Sequence, residues 1–414
     1  MVAKKYIPAS GKVFDQEEIR NAIKVAKDGW WTEGEFAKRF EKDFSSYLGI
    51  RYVSLVNSGS SANLVALSAL TSRVFGERAL KPGEEVITTA CAFPTTVNPI
   101  IQNRLKPVFV DIDLGTRNAT AEAIKGAITK KTRAIMMAHS LGNLMPIKEI
   151  LAIVKKYNLW FIEDCCDALG GSYGGKLAGT FGHVATFSFY PAHQITMGEG
   201  GAIVTNNPFI HKALRQFRDW GRDCWCDTGK DDTCRRRFAW KLGDLPYGYD
   251  HKYIYSQIGY NLKLTDFQAA IGVAQLEKLP GFIKKRKKNF KKLYSFFKKY
   301  ERYIILPTWE PEADPCWFGF MIVIKPDAPF TRLDIVTYLE SHGIGTRNLF
   351  AGNLLKHPAY MGRKDIRISG SLDNSDNVMN NGFWIGVWPG ITEEMIQRIR
   401  KIFEDFITVH QQLL

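Results

Sequence analysis

Residues 159–170 read LWFIEDCCDALG, an apolar run that ends abruptly in carboxylates and two adjacent cysteines. Such a short, nearly all-apolar run is typical of a strand that is buried on both faces. Six similar runs occur elsewhere, separated by segments with helical periodicity. They are YVSLV (52–56), EVITT (85–89), PVFVDI (107–112), RAIMMAH (133–139), ATFSFY (185–190) and GAIVTN (201–206). This alternation predicts an α/β fold with a mostly parallel central sheet covered by helices.

The chain divides into a large and a small part. Asp15, with Glu18 three residues later, predicts the N-terminal cap of the first helix. A basic helix leads at about residue 285 into a second α+β segment, which contains FGFMIVIK (318–325) and a final helix from Glu393. We therefore expect an N-terminal segment (1–14), a large domain (15–285) with a cysteine-rich loop (218–237), and a smaller C-terminal α+β domain (286–414).

Composition narrows the class of protein. The 414 residues carry a formal charge of +14. Much of the excess lies in KKRKKNFKKLYSFFKKYER (284–302), where apolar residues at helical spacing make the lysines one solvated face. No nucleic-acid-binding signature accompanies this run, so an anionic substrate is favoured over nucleic acid. No apolar run approaches the roughly 18 residues that span a bilayer, and the first residues, MVAKKYIPASGKV, lack the apolar core of a signal peptide. We expect a cytoplasmic protein without membrane attachment.

Ligands of open parallel sheets bind beyond the carboxyl ends of the strands. After the first strand, Ser60 and Ser61 in SGSSAN (58–63) head a helix whose free N–H groups suit a phosphate; a simple serine cap is the alternative. Asp164 ends an apolar strand, where a carboxylate is costly without a positive partner. A protonated pyridine nitrogen is such a partner. Phe93 and His139, past other strand ends, offer a ring stack and a polar contact.

These segments together resemble the DegT/DnrJ/EryC1/StrS family of vitamin-B6 sugar aminotransferases, of fold type I. SGSSAN matches the phosphate turn of that family, EDCCDALG (163–170) its aspartate segment, and GYNLKLTDFQAAIG (259–272) a segment from a neighbouring subunit. The resemblance implies a pyridoxal or pyridoxamine 5′-phosphate site in a homodimer. Its cofactor-binding residues would be Gly59, Ser60, Ser61, Phe93, Asp164, Asp167, Ser188 and Asn261. Asn261 would reach the phosphate across the dimer, and Asp167 stands where most members carry glutamine.

One histidine, His193, lies in the stretch FSFYPAHQITMGEGGA (187–202). A lone histidine at a strand end is ordinarily structural. By the resemblance, however, it occupies the position of the lysine that forms a Schiff base with the cofactor in the aminotransferases. Imidazole forms no stable imine, but it can remove a proton near neutral pH. The replacement indicates pyridoxamine phosphate as cofactor, His193 as catalytic base, and dehydration instead of transamination.

Four of the seven cysteines follow the pattern C-x57-C-x1-C-x7-C, at Cys166, Cys224, Cys226 and Cys234. Four thiolates can close around a metal centre, and spacing alone does not separate structural zinc from a 2Fe–2S cluster. Together with GIGTRNLFAGNL (343–354), the pattern resembles the iron–sulfur branch of the same family. That resemblance implies a 2Fe–2S (iron–sulfur) cluster at these four cysteines and leaves Cys165 aside.

The iron–sulfur branch also implies a reaction. It removes the C3 hydroxyl of a nucleotide-linked 4-keto-6-deoxyhexose, here CDP-4-keto-6-deoxy-D-glucose, in the biosynthesis of 3,6-dideoxyhexoses. The electrons would come from an NADH-dependent flavin and iron–sulfur reductase, which we expect to dock on Arg218, Arg222 and the arginines at 235–237. Arg347 is a candidate contact for the nucleotide diphosphate; a structural ion pair is the alternative.

Three other functions stay open at this point. A 3-dehydratase without a cluster, or one specific for a TDP- or GDP-linked sugar, would also carry histidine in place of lysine. An ordinary sugar aminotransferase is opposed by His193. A non-catalytic scaffold stabilised by zinc would keep the cysteines. The content of iron, sulfide and zinc separates the cluster enzyme from these alternatives.

Overall fold

The structure is a computed structural model that describes residues 6–226 and 228–411. The α-helices are α1 (Gln16–Asp28), α2 (Glu35–Leu48), α3 (Gly59–Ala69), α4 (Pro94–Gln102), α5 (Ala121–Gly126), α6 (Ile147–Tyr157), α7 (Pro208–Arg218), α8 (Asp266–Phe297), α9 (Arg332–Ser341), α10 (Asp373–Asn381) and α11 (Glu393–Gln411). The strands are β1 (Tyr52–Val56), β2 (Glu85–Thr89), β3 (Lys106–Val110), β4 (Thr132–Ala138), β5 (Trp160–Asp164), β6 (Ser172–Tyr173), β7 (Lys176–Leu177), β8 (Val184–Ser188), β9 (Gly201–Thr205), β10 (Ile304–Ile305), β11 (Ala313–Asp314), β12 (Gly319–Ile324), β13 (Thr346–Arg347), β14 (Arg367–Ile368) and β15 (Gly382–Gly386).

Within the described residues the central sheet has eight strands, in the order β1-β9-β8-β5-β4-β2-β3-β14. Strand β9 runs antiparallel to both of its neighbours, and the other pairings are parallel. Strands β2, β5, β8 and β9 are buried along their whole length, as their apolar sequences require. Each predicted strand lies within two residues of an observed one, so the predicted α/β class with a mostly parallel sheet is confirmed.

Local sequence signals place the elements around the site. The Asp15 side chain caps α1, and the Glu18 carboxylate accepts a hydrogen bond from the backbone of Asp15, as predicted. At the carboxyl edge of the sheet, the backbone N–H of His139 donates to the carbonyl of Asp164. The backbone N–H of Cys165, which follows Asp164, donates to the carbonyl of Thr186. These bonds hold the ends of β4, β5 and β8 side by side.

A smaller sheet, β10-β12-β15-β13, lies in the C-terminal part. It packs with α9, α11 and the last turns of α8 into a second hydrophobic core, here called the small core. Helix α8 continues unbroken through residue 285, because its first turns pack on α1 and α2 and its last turns on the small core. Two short segments cross between the parts. Ile7 pairs with Ile344 and packs in the small core, while β14 joins the large sheet beside β3. The two predicted domains are therefore joined by a continuous helix.

The basic run of α8 is mostly a solvated face, as the sequence predicted. Phe290 and Leu293 are buried in the small core. Lys287 forms an ion pair with Asp314, and Lys292 and Lys299 of the same basic run pair with carboxylates of α11. The exception is Arg286, which is fully buried. Among the helices of the described ranges, none is long and apolar enough to cross a bilayer.

Candidate active site and cysteine centre

The predicted phosphate-binding residues form a turn at the N-terminus of α3. Ser58 caps the helix, its hydroxyl oxygen accepting from the backbone N–H of Ser61 at 3.1 Å. A Cβ atom on Gly59 would lie 2.4 Å from the Cβ of Ser188, so only glycine lets the end of β8 approach the helix this closely. Ser60 is exposed at the mouth. Gly59, Ser60, Ser61 and Ser188 are thus brought together at free helical N–H groups, an arrangement that fits a phosphate.

Asp164 is buried at the end of β5 and is held by neutral donors. Its Oδ2 accepts from Asn63 Nδ2 at 2.8 Å and from the Thr96 hydroxyl at 2.7 Å, while Oδ1 accepts from the backbone of Cys166. Asn63 is fixed in turn by the Thr186 hydroxyl at 2.6 Å. No cation of the described chain forms an ion pair with Asp164. A carboxylate that is oriented but unpaired in this way fits the protonated nitrogen of a bound pyridine ring.

Two further residues, Phe93 and His139, were predicted to contact a bound pyridine ring, and the structure places them differently. Phe93 precedes α4 with half of its surface exposed, and its ring makes an edge contact with Phe350, which fits a ring that could stack on a ligand. His139 is fully buried and does not reach the cleft. Its Nε2 lies 3.3 Å from Glu163, and its Nδ1 accepts from the backbone of Met145. The expected polar contact from His139 is therefore wrong, because the ring is used inside the core.

His193 lies in the loop after β8, and the loop is held by a residue that the sequence did not single out. The backbone N–H of His193 donates to the carbonyl of Tyr190. The buried guanidinium of Arg286 donates to the carbonyl of His193 at 2.9 Å. The imidazole packs 5.3 Å from the ring of Phe318, with 15% of its side chain exposed. Arg286 was hidden in a lysine-rich run, and no local signal distinguishes it.

The electrostatic environment of His193 keeps the imidazole neutral. Burial, assisted by the nearby Arg286 guanidinium, lowers the pKa of His193 to about 3. Its Nδ1 lies 3.6 Å from Oδ1 of Asp167. Burial and the charge of Asp164 raise the pKa of Asp167 to about 7. Asp167 Oδ2 and His193 Nδ1 are both buried without a hydrogen-bond partner among the described residues, which fits a site completed by a ligand.

Three of the four predicted metal ligands come together around a histidine. The sulfur atoms of Cys224, Cys226 and Cys234 lie 3.6, 3.7 and 3.5 Å from Nε2 of His251. His251 is fully buried. Although burial opposes it, hydrogen bonding within the loop lowers the pKa of the Cys226 thiol. Sequence reasoning missed His251, because it searched for a fourth cysteine and His251 lies beyond the predicted loop.

Cys166 lies at the phosphate turn. A Cβ atom on Gly59 would lie 3.1 Å from its sulfur, and burial raises the pKa of the Cys166 thiol well above its usual range. Among the described residues, two sets of potential ligand atoms lie within 4.8 Å of one another: Cys224, Cys226 and His251, and His139, Glu163 and Cys165. Neither set includes Cys166 or Cys234. The predicted role of Cys166 as a cluster ligand stays a prediction. Cys165, left aside by the sequence analysis, is buried near Glu163.

The arginines near the cysteines are not equivalent. Arg218 is buried, with ion pairs to Glu33 at 2.7 Å and Asp219 at 2.9 Å. Its predicted place on a docking surface is wrong, since the guanidinium is enclosed by its own chain. Arg235 and Arg236 are exposed, as the docking prediction requires.

The remaining predicted residues, Asn261 and Arg347, lie at the surface. Asn261 is exposed, and the carbonyl of its neighbour Leu262 accepts from the backbone of Asn57, next to the phosphate turn. Arg347 in β13 is exposed and donates to the carbonyl of Thr346 at 2.7 Å. It forms no ion pair with any carboxylate in the described ranges. Both side chains are therefore accessible to a ligand or a second subunit.

Comparison with known proteins agrees with this arrangement. Residues 12–404 match the DegT/DnrJ/EryC1/StrS aminotransferase family. The lipopolysaccharide biosynthesis protein RfbH of Salmonella typhimurium is 51% identical over 400 residues, covering 97% of this chain and 91% of that protein. The dTDP-4-dehydro-2,6-dideoxy-D-glucose 3-dehydratase of Saccharopolyspora spinosa is 50% identical over 401 residues, covering 97% and 86%.

Solved structures show the same architecture. The GDP-4-keto-6-deoxy-D-mannose-3-dehydratase of E. coli, solved with bound hydrated PLP, superposes with a TM-score of 0.85 at 31% identity, covering 96% of this chain and 99% of that one. The predicted fold type I is confirmed by this likeness together with the family match. The chain belongs to the DegT/DnrJ/EryC1/StrS aminotransferase family.

Proposed function

We propose that the chain is a nucleotide-sugar 3-dehydrase that removes the C3 hydroxyl of CDP-4-keto-6-deoxy-D-glucose. The observation that carries the proposal is His193, a neutral imidazole beside Asp167. It lies in the loop after β8, whose last residue, Ser188, packs against Gly59 of the phosphate turn. An amine at this position would bind the cofactor covalently, whereas an imidazole forms no stable imine with it and can act as a base. The two 3-dehydratases with which the chain aligns over nearly its full length support reaction at C3.

The chain's own residues are suited to holding pyridoxamine 5′-phosphate. This cofactor, when bound, supplies an amine for the sugar ketone and a ring that withdraws electrons. The N–H groups at the start of α3 and the Ser188 hydroxyl would bind its phosphate. Asp164 would pair with the ring nitrogen, and Phe93 would cover one ring face. The hydrogen bonds from Asn63 and Thr96 fix Asp164 for that purpose.

His193 would act as the general base. Because its Nδ1 faces Asp167, its Nε2 is the nitrogen available for proton transfer. A neutral imidazole can accept a proton from the C4′ carbon of the cofactor and return a proton to the departing C3 hydroxyl. Arg286 fixes the backbone of the loop and thereby the position of the ring. Loss of this arrangement would leave cofactor binding intact and stop dehydration.

The cysteine centre would serve electron transfer. A 2Fe–2S cluster, when bound, passes electrons one at a time. The thiols of Cys224, Cys226 and Cys234 are the soft donors that such a cluster requires. The resemblance assigns the fourth position to Cys166, which lies beside the phosphate turn of its own chain. A dehydrated sugar needs two electrons to become a 3-deoxy sugar, and an NADH-dependent flavin and iron–sulfur reductase would supply them.

The active unit would be a homodimer in which Asn261 reaches the partner's cofactor phosphate. Several large apolar side chains that precede Asn261, or are joined to its segment by the backbone bond from Trp220 to Tyr260, support this assembly, since they are exposed in the single chain. Among them, Trp220 is 42%, Tyr255 52% and Ile258 95% exposed. A cytoplasmic location fits the seven free thiols of the described chain. Sedimentation at low protein concentration tests the dimer: we expect dimers, and monomers at all concentrations would contradict the assembly.

The proposed function is tested by metal analysis and turnover. Protein purified without oxygen is expected to contain iron and sulfide in equal amounts. With pyridoxamine phosphate, NADH and the reductase, it should convert the CDP-linked sugar faster than the TDP- and GDP-linked sugars. Arg347→Ala should raise the KM for the sugar nucleotide by about tenfold with little change in kcat. Zinc without iron, or full turnover with glutamate and no reductase, would contradict the role of the cysteine centre.

A further inference from the structure

The cysteine centre contains an imidazole at its middle. His251 follows Asp250 at the start of a short 3₁₀ turn and is fully buried. Its Nε2 lies 3.5–3.7 Å from three sulfur atoms, those of Cys224, Cys226 and Cys234. Its other ring nitrogen, Nδ1, is buried with no hydrogen-bond partner among the described residues. A side chain as polar as imidazole is rarely buried among thiols without a reason in the chemistry.

The distances at His251 are those of atoms that share a metal ion. A tetrahedral metal holds thiolate sulfur at about 2.3 Å and imidazole nitrogen at about 2.0–2.1 Å, which places ligated sulfur and nitrogen about 3.5 Å apart. All three distances are close to that value, which is the arrangement around one tetrahedral ion. In a 2Fe–2S cluster the imidazole would share its iron with one of the three sulfurs. A hydrogen bond explains them less well, because one N–H group aligns with one acceptor and not with three.

The surrounding loop holds His251 in this position. The backbone N–H of His251 donates to the carbonyl of Arg237, three residues beyond Cys234. The Arg237 guanidinium forms an ion pair with Asp250 at 2.7 Å. The ring of Trp240 packs edge-on at 5.0 Å and excludes water from one side of the imidazole. The residues after the last cysteine are therefore built around the histidine.

We propose that His251 is the fourth protein ligand of the metal centre, through Nε2, with Cys224, Cys226 and Cys234 as the other three. The inference rests on the metal centre of the proposed function, but not on the sugar chemistry. It frees Cys166 for a place at the phosphate turn. Replacing a thiolate by a neutral imidazole removes one negative charge from the centre, so its reduction potential is higher than with four thiolates.

The test uses the holoenzyme purified without oxygen, with its metal identified first. For an iron centre, pulsed EPR of the reduced protein is expected to show one strongly coupled nitrogen, whose coupling changes when histidine is labelled with ¹⁵N. For a zinc centre, X-ray absorption should show three sulfur neighbours and one nitrogen. Zinc would overturn the electron-transfer role while still testing the ligand assignment, so the two failures are distinguishable.

Two variants make the assignment specific. Cys166→Ser is expected to keep the metal and the nitrogen signal. His251→Cys should keep the metal, lose the nitrogen signal and shift the reduction potential downward. A wild-type centre with four sulfurs, or with only weakly coupled nitrogen, would overturn the proposal. So would loss of metal in Cys166→Ser together with an unchanged spectrum in His251→Cys. If His251→Cys does not fold, the wild-type spectrum and Cys166→Ser still decide.

Discussion

The cofactor cleft and the cysteine centre are built by different means. In the cleft, the functional side chains follow the ends of buried strands, and Asp164 is fixed by side chains of two separate helices. The cysteine centre lies between α7 and α8, in a stretch where the described residues form a single helical element, the short 3₁₀ turn at His251. There the chain is held by ion pairs at partly exposed side chains, such as Arg237 with Asp250.

This difference separates two kinds of site. The cleft is preformed by the hydrophobic core, so it should keep its shape without a ligand. The cysteine centre has few buried apolar side chains and gathers three thiols that a metal would hold together. We therefore expect that binding of the cofactor leaves the shape of the cleft nearly unchanged. Binding of a metal to the cysteine centre should instead stabilise the local fold of its loop.

The largest effect is expected at His193. His193→Asn should lower the rate of C3 dehydration by about 10²- to 10⁴-fold, because it removes the general base. His193→Lys should do the same and should also give the visible absorption of a covalent imine with pyridoxal phosphate. His410→Gln, far from the cleft, is the matched control and should keep wild-type activity. Unchanged dehydration in His193→Asn would exclude the proposed base.

The support of Asp164 should show graded effects. Asp164→Asn should weaken cofactor binding about 100-fold, because the ring nitrogen loses its charged partner. Thr96→Val removes only one of the hydrogen bonds to Asp164 and should weaken cofactor binding about tenfold. Titration of the apoprotein with pyridoxamine phosphate, followed by fluorescence, measures both. Equal losses in the two variants would show that the charge of Asp164 contributes nothing specific.

Removing the metal sharpens the comparison between the two regions. Chelation should increase amide hydrogen exchange and proteolysis within residues 222–255, while the sheet strands stay protected. The fluorescence of Trp225 and Trp240, whose rings lie 4.8 Å apart in this loop, should change in parallel. Affinity for pyridoxamine phosphate should hardly change. Loss of protection throughout the central sheet would mean that the two regions are not independent.

The pKa values of the cleft predict opposing effects of pH on stability without cofactor. Asp167 has a pKa of about 7 in the folded protein against 3.8 for a free side chain, so it favours the folded state at low pH. This contribution to the free energy of unfolding is lost as the pH rises from about 4 to 7. His193 has a pKa of about 3 in the folded protein against 6.5 for a free side chain, so it favours the folded state at high pH. This contribution to the free energy of unfolding is lost as the pH falls below 6.5. In the wild type the two nearly cancel between pH 4 and 6.5.

Single substitutions should separate the two effects of pH on the free energy of unfolding. Asp167→Asn is expected to become less stable as the pH falls from 6.5, and His193→Gln as the pH rises from about 4. Denaturant unfolding across this range measures both slopes. Parallel pH profiles of the two variants would contradict the assigned shifts.

The smallest effect is expected at the exposed arginines. Changing Arg235 and Arg236 to glutamate should slow reduction of the holoenzyme by its reductase several-fold, most strongly at low salt. Lys176→Glu, on a short strand of a separate sheet, is the control for net charge. Stopped-flow reduction that is insensitive to ionic strength in the wild type would remove this surface from the docking site.

Prediction from the sequence succeeded where the signal was local. Apolar runs followed by polar residues located the strand ends, and the Gly59 turn and the Asp164 position followed directly. It failed where the decisive partner is distant in sequence. Arg218 is neutralised by Glu33 across the fold, and His251 joins the cysteines only after the loop has closed. A search for histidine as well as cysteine that continued past the predicted loop (218–237) would have found His251.

The central claim is that the cleft dehydrates a sugar instead of aminating it. The most direct measurement is mass spectrometry of the product after one turnover of wild-type holoenzyme with pyridoxamine phosphate, the CDP-linked 4-keto sugar, NADH and the reductase. We expect a keto sugar that has lost the C3 oxygen. A 4-amino sugar that retains its C3 hydroxyl would contradict it.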